Sequence, residues 1–334
     1  MKKNIDALFG YLEEIMGGYR GSQILFTANR LNLFDALRDK PKTIEDLSGQ
    51  LRANMRALQI LCNALVGLDL LKKRGNVYSL TRLAEKYLLE DSPYSQKGLL
   101  RHGAALYERW GKLYDVVKTG RPVSRDAISP ELQGDEQTFA EAMASSARMF
   151  AMETAQSIDL KHAKTLLDIG GGPALYAIEF LKVNPTLKVT VLDNAKTLAV
   201  AKKYVEKAGL VKQIELVPGD ALTDEIPGSY DVVFMSNVIH QYSFDENAEL
   251  IKRAAKVLNC SGNIYVKDFL LEPCRTKPVK ASLFAVNMLV DTERGNCYTV
   301  NDVKSWYRGA GIVPKSTIDL YPPSRIVVGK KKSG

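Results

Sequence analysis

The chain has 334 residues, 46% of them hydrophobic and 25% charged, with a formal net charge of +8. That length exceeds one ordinary domain, and the composition excludes a disordered, collagen-like or disulfide-scaffold protein. Basic residues are interleaved with acids, apart from Lys330, Lys331 and Lys332, so the charge reads as solvation and no nucleic-acid partner is expected. The four cysteines, Cys62, Cys260, Cys274 and Cys297, lack paired metal-ligand spacing and predict free thiols in a reducing compartment, with no metal. The apolar run 281–290 is half the ~20 residues a membrane span needs, and Asp6, Glu13 and Glu14 interrupt the stretch near Met1. The expectation is a cytoplasmic protein without membrane contact.

Up to about residue 152 the periodicity is helical. Segments 19–30, 43–50 and 54–67 carry apolar residues at three- and four-residue spacing. Strand-like runs flank Gly75-Asn76 within 70–80, a hairpin pattern, and a helix over 81–89 follows. Helix, turn, helix and hairpin in that order suggest a winged-helix unit, completed by helices over 97–117 and 136–156. Reading bases would need several Arg, Lys, Asn or Gln side chains on one helix face. Helix 54–67 offers one basic residue, Arg56, so its apolar surface predicts burial in a core or against another subunit. An apolar helical half of this kind predicts a homodimer.

From Lys164 strand and helix patterns alternate. Strand-like runs are 165–169, 188–192, 213–217, 230–236, 263–269, 314–320 and 326–328, with helical patterns between the first five and over 300–309. A short Pro-Pro-Ser turn joins the last two, which predicts an antiparallel hairpin at the sheet edge. The predicted class is α/β: a Rossmann-like, seven-stranded doubly wound sheet over 153–334, preceded by a helical winged-helix dimerisation domain over 1–152.

The first of these strands runs into Asp168-Ile169-Gly170-Gly171-Gly172-Pro173-Ala174-Leu175. Glycines there let backbone approach a ligand, and the next helix offers its positive end. A dinucleotide fingerprint would place glycines first, third and sixth; Gly170 and Gly172 fit, but the sixth position is Leu175. No Gly-Lys-Ser/Thr follows, which excludes a P-loop. Asp168 would repel a pyrophosphate yet suits an ammonium or sulfonium. Asp193 ends the second strand, 23 residues after Gly170, where an acid can accept from both ribose hydroxyls. Asp220, in Gly219-Asp220-Ala221 after the third strand, is placed to meet an adenine amino group. Three acids and no phosphate-binding lysine describe S-adenosylmethionine better than NAD.

These residues resemble the class I S-adenosylmethionine-dependent methyltransferases, in particular the plant-type small-molecule O-methyltransferases that include acetylserotonin, caffeate and bacterial polyketide enzymes. The likeness runs through the winged-helix region, Phe139-Ala140-Glu141-Ala142-Met143, the glycine loop, Gly219-Asp220, Ser236-Asn237-Val238-Ile239-His240 and Asn287-Met288. It implies a cofactor site of Asp168, Gly170, Gly172, Asp193, Asp220, Ala221 and Ser236. It also implies His240 as the base that takes the acceptor's proton, accompanied by Asp268. The family's second acid lies in a Gly-Lys-Glu-Arg-Thr stretch, which here reads Gly295-Asn296-Cys297-Tyr298-Thr299. The acid after the histidine is Gln241, and the third loop glycine is Ala174.

An imidazole, with its ordinary pKa near ~6.5, can accept a phenolic proton at neutral pH. Strands four and five should be neighbours, so Asp268 could fix the tautomer of His240. Phe139, Met143, Met149, Phe284, Asn287, Met288 and Tyr298 are candidates to line an apolar pocket between the halves for an aromatic or polyketide-like acceptor. The expected reaction is methyl transfer to a hydroxyl. Transfer to carbon, nitrogen or sulfur, and a cofactor-sensing winged-helix regulator, stand as the alternatives.

Overall fold

The computed structural model describes residues 7–134 and 136–333, which pack as two compact units divided between Ala105 and Leu106. In the first unit, β1 (Lys42–Thr43), β2 (Leu71–Arg74) and β3 (Val77–Leu80) form a small antiparallel sheet in the order β1-β3-β2. Thr43 and Asp46 make a reciprocal capping box that starts the Ile44–Leu51 helix. Asn54 caps the next helix, Met55–Gly67, by accepting from the Ala57 N–H. That helix buries Leu58, Cys62 and Leu65 beside Phe34, Leu47 and Tyr78 and leaves Arg56 exposed, so its apolar stripe builds the core of the unit. Ahead of it the Ala7–Gly17 helix has no buried residue and exposes Phe9, Tyr11, Leu12, Ile15 and Met16.

The helix expected over 97–117 is two, Lys97–Trp110 and Leu113–Thr119, because Gly111 and the non-helical Lys112 interrupt it. The later long helix, Glu136–Ser157, packs into the second unit: Ala151 and Ala155 are buried with Tyr176, Ala177 and Phe180. Packing thus assigns 106–152 to the second unit, whereas composition and periodicity place the division at residue 152.

The second unit holds β4 (Thr165–Ile169), β5 (Lys188–Asp193), β6 (Ile214–Pro218), β7 (Tyr230–Ser236), β8 (Leu258–Phe269), β9 (Ile312–Asp319) and β10 (Ser324–Lys331). They form one twisted layer in the order β6-β5-β4-β7-β8-β10-β9. The first five are parallel; β10 runs antiparallel to both β8 and β9. Alternation along β4 sends Leu167 and Ile169 to one core and Leu166 to the other, as a sheet covered on both faces requires. Two expectations change. No helix separates β6 from β7, where Gly219, Pro227 and Gly228 favour turns. Strand β8 begins five residues early, at Leu258 rather than Asn263. Among the described residues no helix is long and apolar enough to cross a membrane.

Candidate active site

The parallel strands all deliver their C-terminal ends to one edge, where open α/β sheets bind ligands. Strand β4 ends at Ile169, and the chain turns through Gly170 and Gly172, both with positive φ, into the Leu175–Val183 helix. A Cβ on Gly170 would lie 2.5 Å from Val238 Cγ2, and one on Gly171 would lie 2.7 Å from the Asp168 carboxyl. Only glycine fits either position. Ala174, at the family's third glycine, has φ 62 and is fully buried. The left-handed conformation costs roughly 1–2 kcal/mol, and burying the methyl returns about 0.8 kcal/mol. A non-glycine residue therefore persists there at small net cost.

Asp168 lies beneath the loop rather than in an open crevice. It is fully buried, and neither carboxyl oxygen has a hydrogen-bond partner. Burial, and then the charge of Asp193, hold its pKa well above the ordinary carboxyl value. Asp193 accepts from the Gly172 N–H at 2.8 Å through one oxygen and from the Asn194 N–H at 2.7 Å through the other. Burial raises its pKa, and those backbone donors work against the rise. Asp220 is exposed and accepts from the Leu222 N–H; Ala221 beside it is buried. Arg253 donates to the carbonyls of Ala221 and Asp224 and so holds this turn in place. Tyr242, missed by sequence reasoning, belongs to the same edge. Its phenol pKa is raised by burial first and then by Asp220 and Asp193. Ser236, at the end of β7, is one residue beyond Met235, the register partner of Ile169, and so lies level with Gly170.

His240 stands in a short 3-10 turn after β7, and Asp268 near the end of β8. The adjacency of these strands places His240 Nδ1 2.8 Å from Asp268 Oδ1, with both residues buried. The same oxygen accepts from the Phe269 N–H, while Oδ2 has no partner. Phe284 meets the imidazole edge to face, with centroids 4.9 Å apart. The loop expected to hold a second acid instead grips the histidine's backbone: Asn296 N–H donates to the His240 carbonyl at 2.9 Å. Cys297 is buried, and burial together with Asp268 pushes its thiol up to about 12, so it is no nucleophile at neutral pH.

The candidate lining residues separate. Asn287 and Met288 are buried on the Val279–Asp291 helix that also carries Phe284, and Asn287 Oδ1 accepts from Trp110 Nε1 at 2.9 Å. Phe139 and Met149 are exposed and Met143 is half-buried, all on the Glu136–Ser157 helix. Tyr298 is a core residue, packed on Trp306 and donating to the Tyr242 carbonyl at 2.6 Å. Among the described residues no group of three or more His, Cys, Asp or Glu could hold a metal ion.

An acid-lined glycine edge beside a buried His–Asp pair, on this strand order, defines a class I methyltransferase-type site. The family model of an O-methyltransferase domain matches residues 117–313, and that of an O-methyltransferase dimerisation domain matches residues 13–90. The chain belongs to the O-methyltransferase family. It is 26% identical to 3-hydroxy-5-methyl-1-naphthoate 3-O-methyltransferase of Streptomyces sahachiroi, covering 96% of this chain and 94% of that one. It is 28% identical to human acetylserotonin O-methyltransferase, over 88% and 89% of the two chains. The crystal structure of human N-acetylserotonin methyltransferase in complex with SAM superposes with a TM-score of 0.88 at 25% identity, covering all of both chains.

Proposed function

We propose that the chain transfers a methyl group from S-adenosylmethionine to a hydroxyl of a small aromatic or polyketide-like molecule, with His240 as the general base. The buried His240–Asp268 pair beside the glycine edge carries this reading. The site fits the cofactor because Asp168 is a buried carboxyl with no partner, suited to a nearby cationic ligand. Asp193 would take the ribose hydroxyls, and Asp220 and Ala221 the adenine. Bound there, the sulfonium supplies an already activated methyl group.

The protein's own part is to deprotonate and align. A carboxylate can only accept, so Asp268 places the imidazole proton on Nδ1 and leaves the Nε2 lone pair for the acceptor's hydroxyl proton. Phe284 holds the ring plane, and alignment of acceptor with methyl in a dry site is worth up to ~7–11 kcal/mol. The likeness to a hydroxynaphthoate enzyme and to acetylserotonin enzymes favours a flat hydroxylated aromatic acceptor. We further infer a homodimer built on the N-terminal unit, supported by the dimerisation-domain match and the exposed apolar side chains of the Ala7–Gly17 helix.

The test is labelled methyl transfer to hydroxylated naphthoates and indoles. His240→Ala should lose about 10²–10⁴-fold in turnover while calorimetry finds S-adenosylhomocysteine affinity within twofold of wild type. Turnover near wild type in that variant removes the general-base assignment.

A further inference from the structure

Lys267 is one of the largest fully buried side chains of the protein, at 1% exposure. It sits on β8 next to Asp268 but points to the opposite face of the sheet, as strand alternation demands. A buried ammonium ordinarily requires a carboxylate, and among the described residues Lys267 forms no ion pair. Its Nζ instead lies 3.3 Å from Ser236 Oγ and 5.4 Å from the centre of the Tyr176 ring, in the first turn after the glycine loop. The Asn237 N–H donates to the Lys267 carbonyl at 2.8 Å, which locks the two strand ends in register.

The polarity of this contact is fixed. An ammonium has three donors and no acceptor, so Ser236 Oγ must accept from it. The serine's own proton is then directed elsewhere, which leaves the hydroxyl able to donate it to a ligand. Ser236 is half-buried and level with Gly170, on the edge where Asp193 and Asp220 supply acceptors. Lys267 and Ser236 are thus the donor side of an otherwise acidic site.

We propose that Lys267 is a positioning residue that fixes the Ser236 hydroxyl as a donor to the carboxylate of the cofactor's amino-acid arm. This rests on the S-adenosylmethionine reading above. It adds a selectivity: ligands keeping that carboxylate gain from the pair, and ligands lacking only the carboxylate do not.

The experiment is calorimetric titration of the full chain with S-adenosylhomocysteine and with its decarboxylated amine, which keeps nucleoside, thioether and ammonium. Lys267→Met and Ser236→Ala should each weaken S-adenosylhomocysteine about tenfold or more and leave the amine within twofold. The double variant should lose no more than the worse single one. Equal losses for both ligands would make Lys267 merely structural, and no loss for either would also overturn the proposal. Should Lys267→Met fail to fold, Ser236→Ala alone carries the same comparison. A wild-type chain that binds neither ligand would instead overturn the cofactor reading itself, a result distinct from lost selectivity in the variants.

Discussion

At the scale of single residues the site is governed by where charge is buried. Asp168 titrates above its ordinary range because folding removes it from water beside Asp193. For an acid raised in this way the folded state holds the proton longer than the unfolded chain. Its contribution is therefore harmless below about pH 4 and becomes a growing penalty as pH rises through the window up to the folded pKa. Asp168→Asn removes that penalty. The ligand-free variant should melt above wild type at pH 7, with the difference closing as the pH is lowered to 4 in a calorimetric series. A constant difference across the series would mean that Asp168 does not titrate in this window. The same variant should bind S-adenosylhomocysteine more weakly, which separates stability from function at one position.

At the scale of elements, the His240–Asp268 pair depends on three segments. Strands β7 and β8 bring His240 and Asp268 together, and the loop after the Val279–Asp291 helix braces the histidine from behind. A Cβ on Gly295 would lie 2.5 Å from the His240 carbonyl oxygen and 2.4 Å from Thr292 Oγ1. Gly295→Ala must therefore displace the backbone that carries His240. Turnover should fall on the order of tenfold to a hundredfold with cofactor affinity little changed, as steady-state kinetics and titration would record together.

Much of this arrangement was legible in the residues. The glycine loop, the Gly75-Asn76 hairpin and the bounds of β4 and β7 follow from local pattern, and Asp193 and Asp268 from their places at strand ends. Other features were not, because they depend on what packs from elsewhere. Gly111 within an apolar periodicity does not announce a break, and Tyr298 reads as a pocket wall until Trp306 is found against it. Lys267 is the clearest case. A lysine in a strand pattern reads as a solvent-facing residue, and only the cover of the Leu175–Val183 helix makes it interior.

At the scale of the molecule, each unit has its own core, and the N-terminal one leaves an apolar helix uncovered. Burying side chains such as Leu12 and Ile15 against a second copy is worth ~1.5–3 kcal/mol apiece. Ile15→Glu should shift the protein from dimer toward monomer in light scattering at micromolar concentration, without lowering the melting temperature of the unit that holds the seven-stranded sheet. A variant that remains fully dimeric would place the subunit contact away from this helix.

The order of the sheet also constrains how the chain can be made. Strand β10, which follows both β8 and β9 in the chain, is the one that seats β9 against β8. Until it arrives, β9 has no strand partner, and β8 presents a row of unpaired peptide groups to solvent beside Asp268. The interval between synthesis of Phe269 and Ser324 is then the period of greatest aggregation hazard, and the stage at which a holdase would matter most to yield.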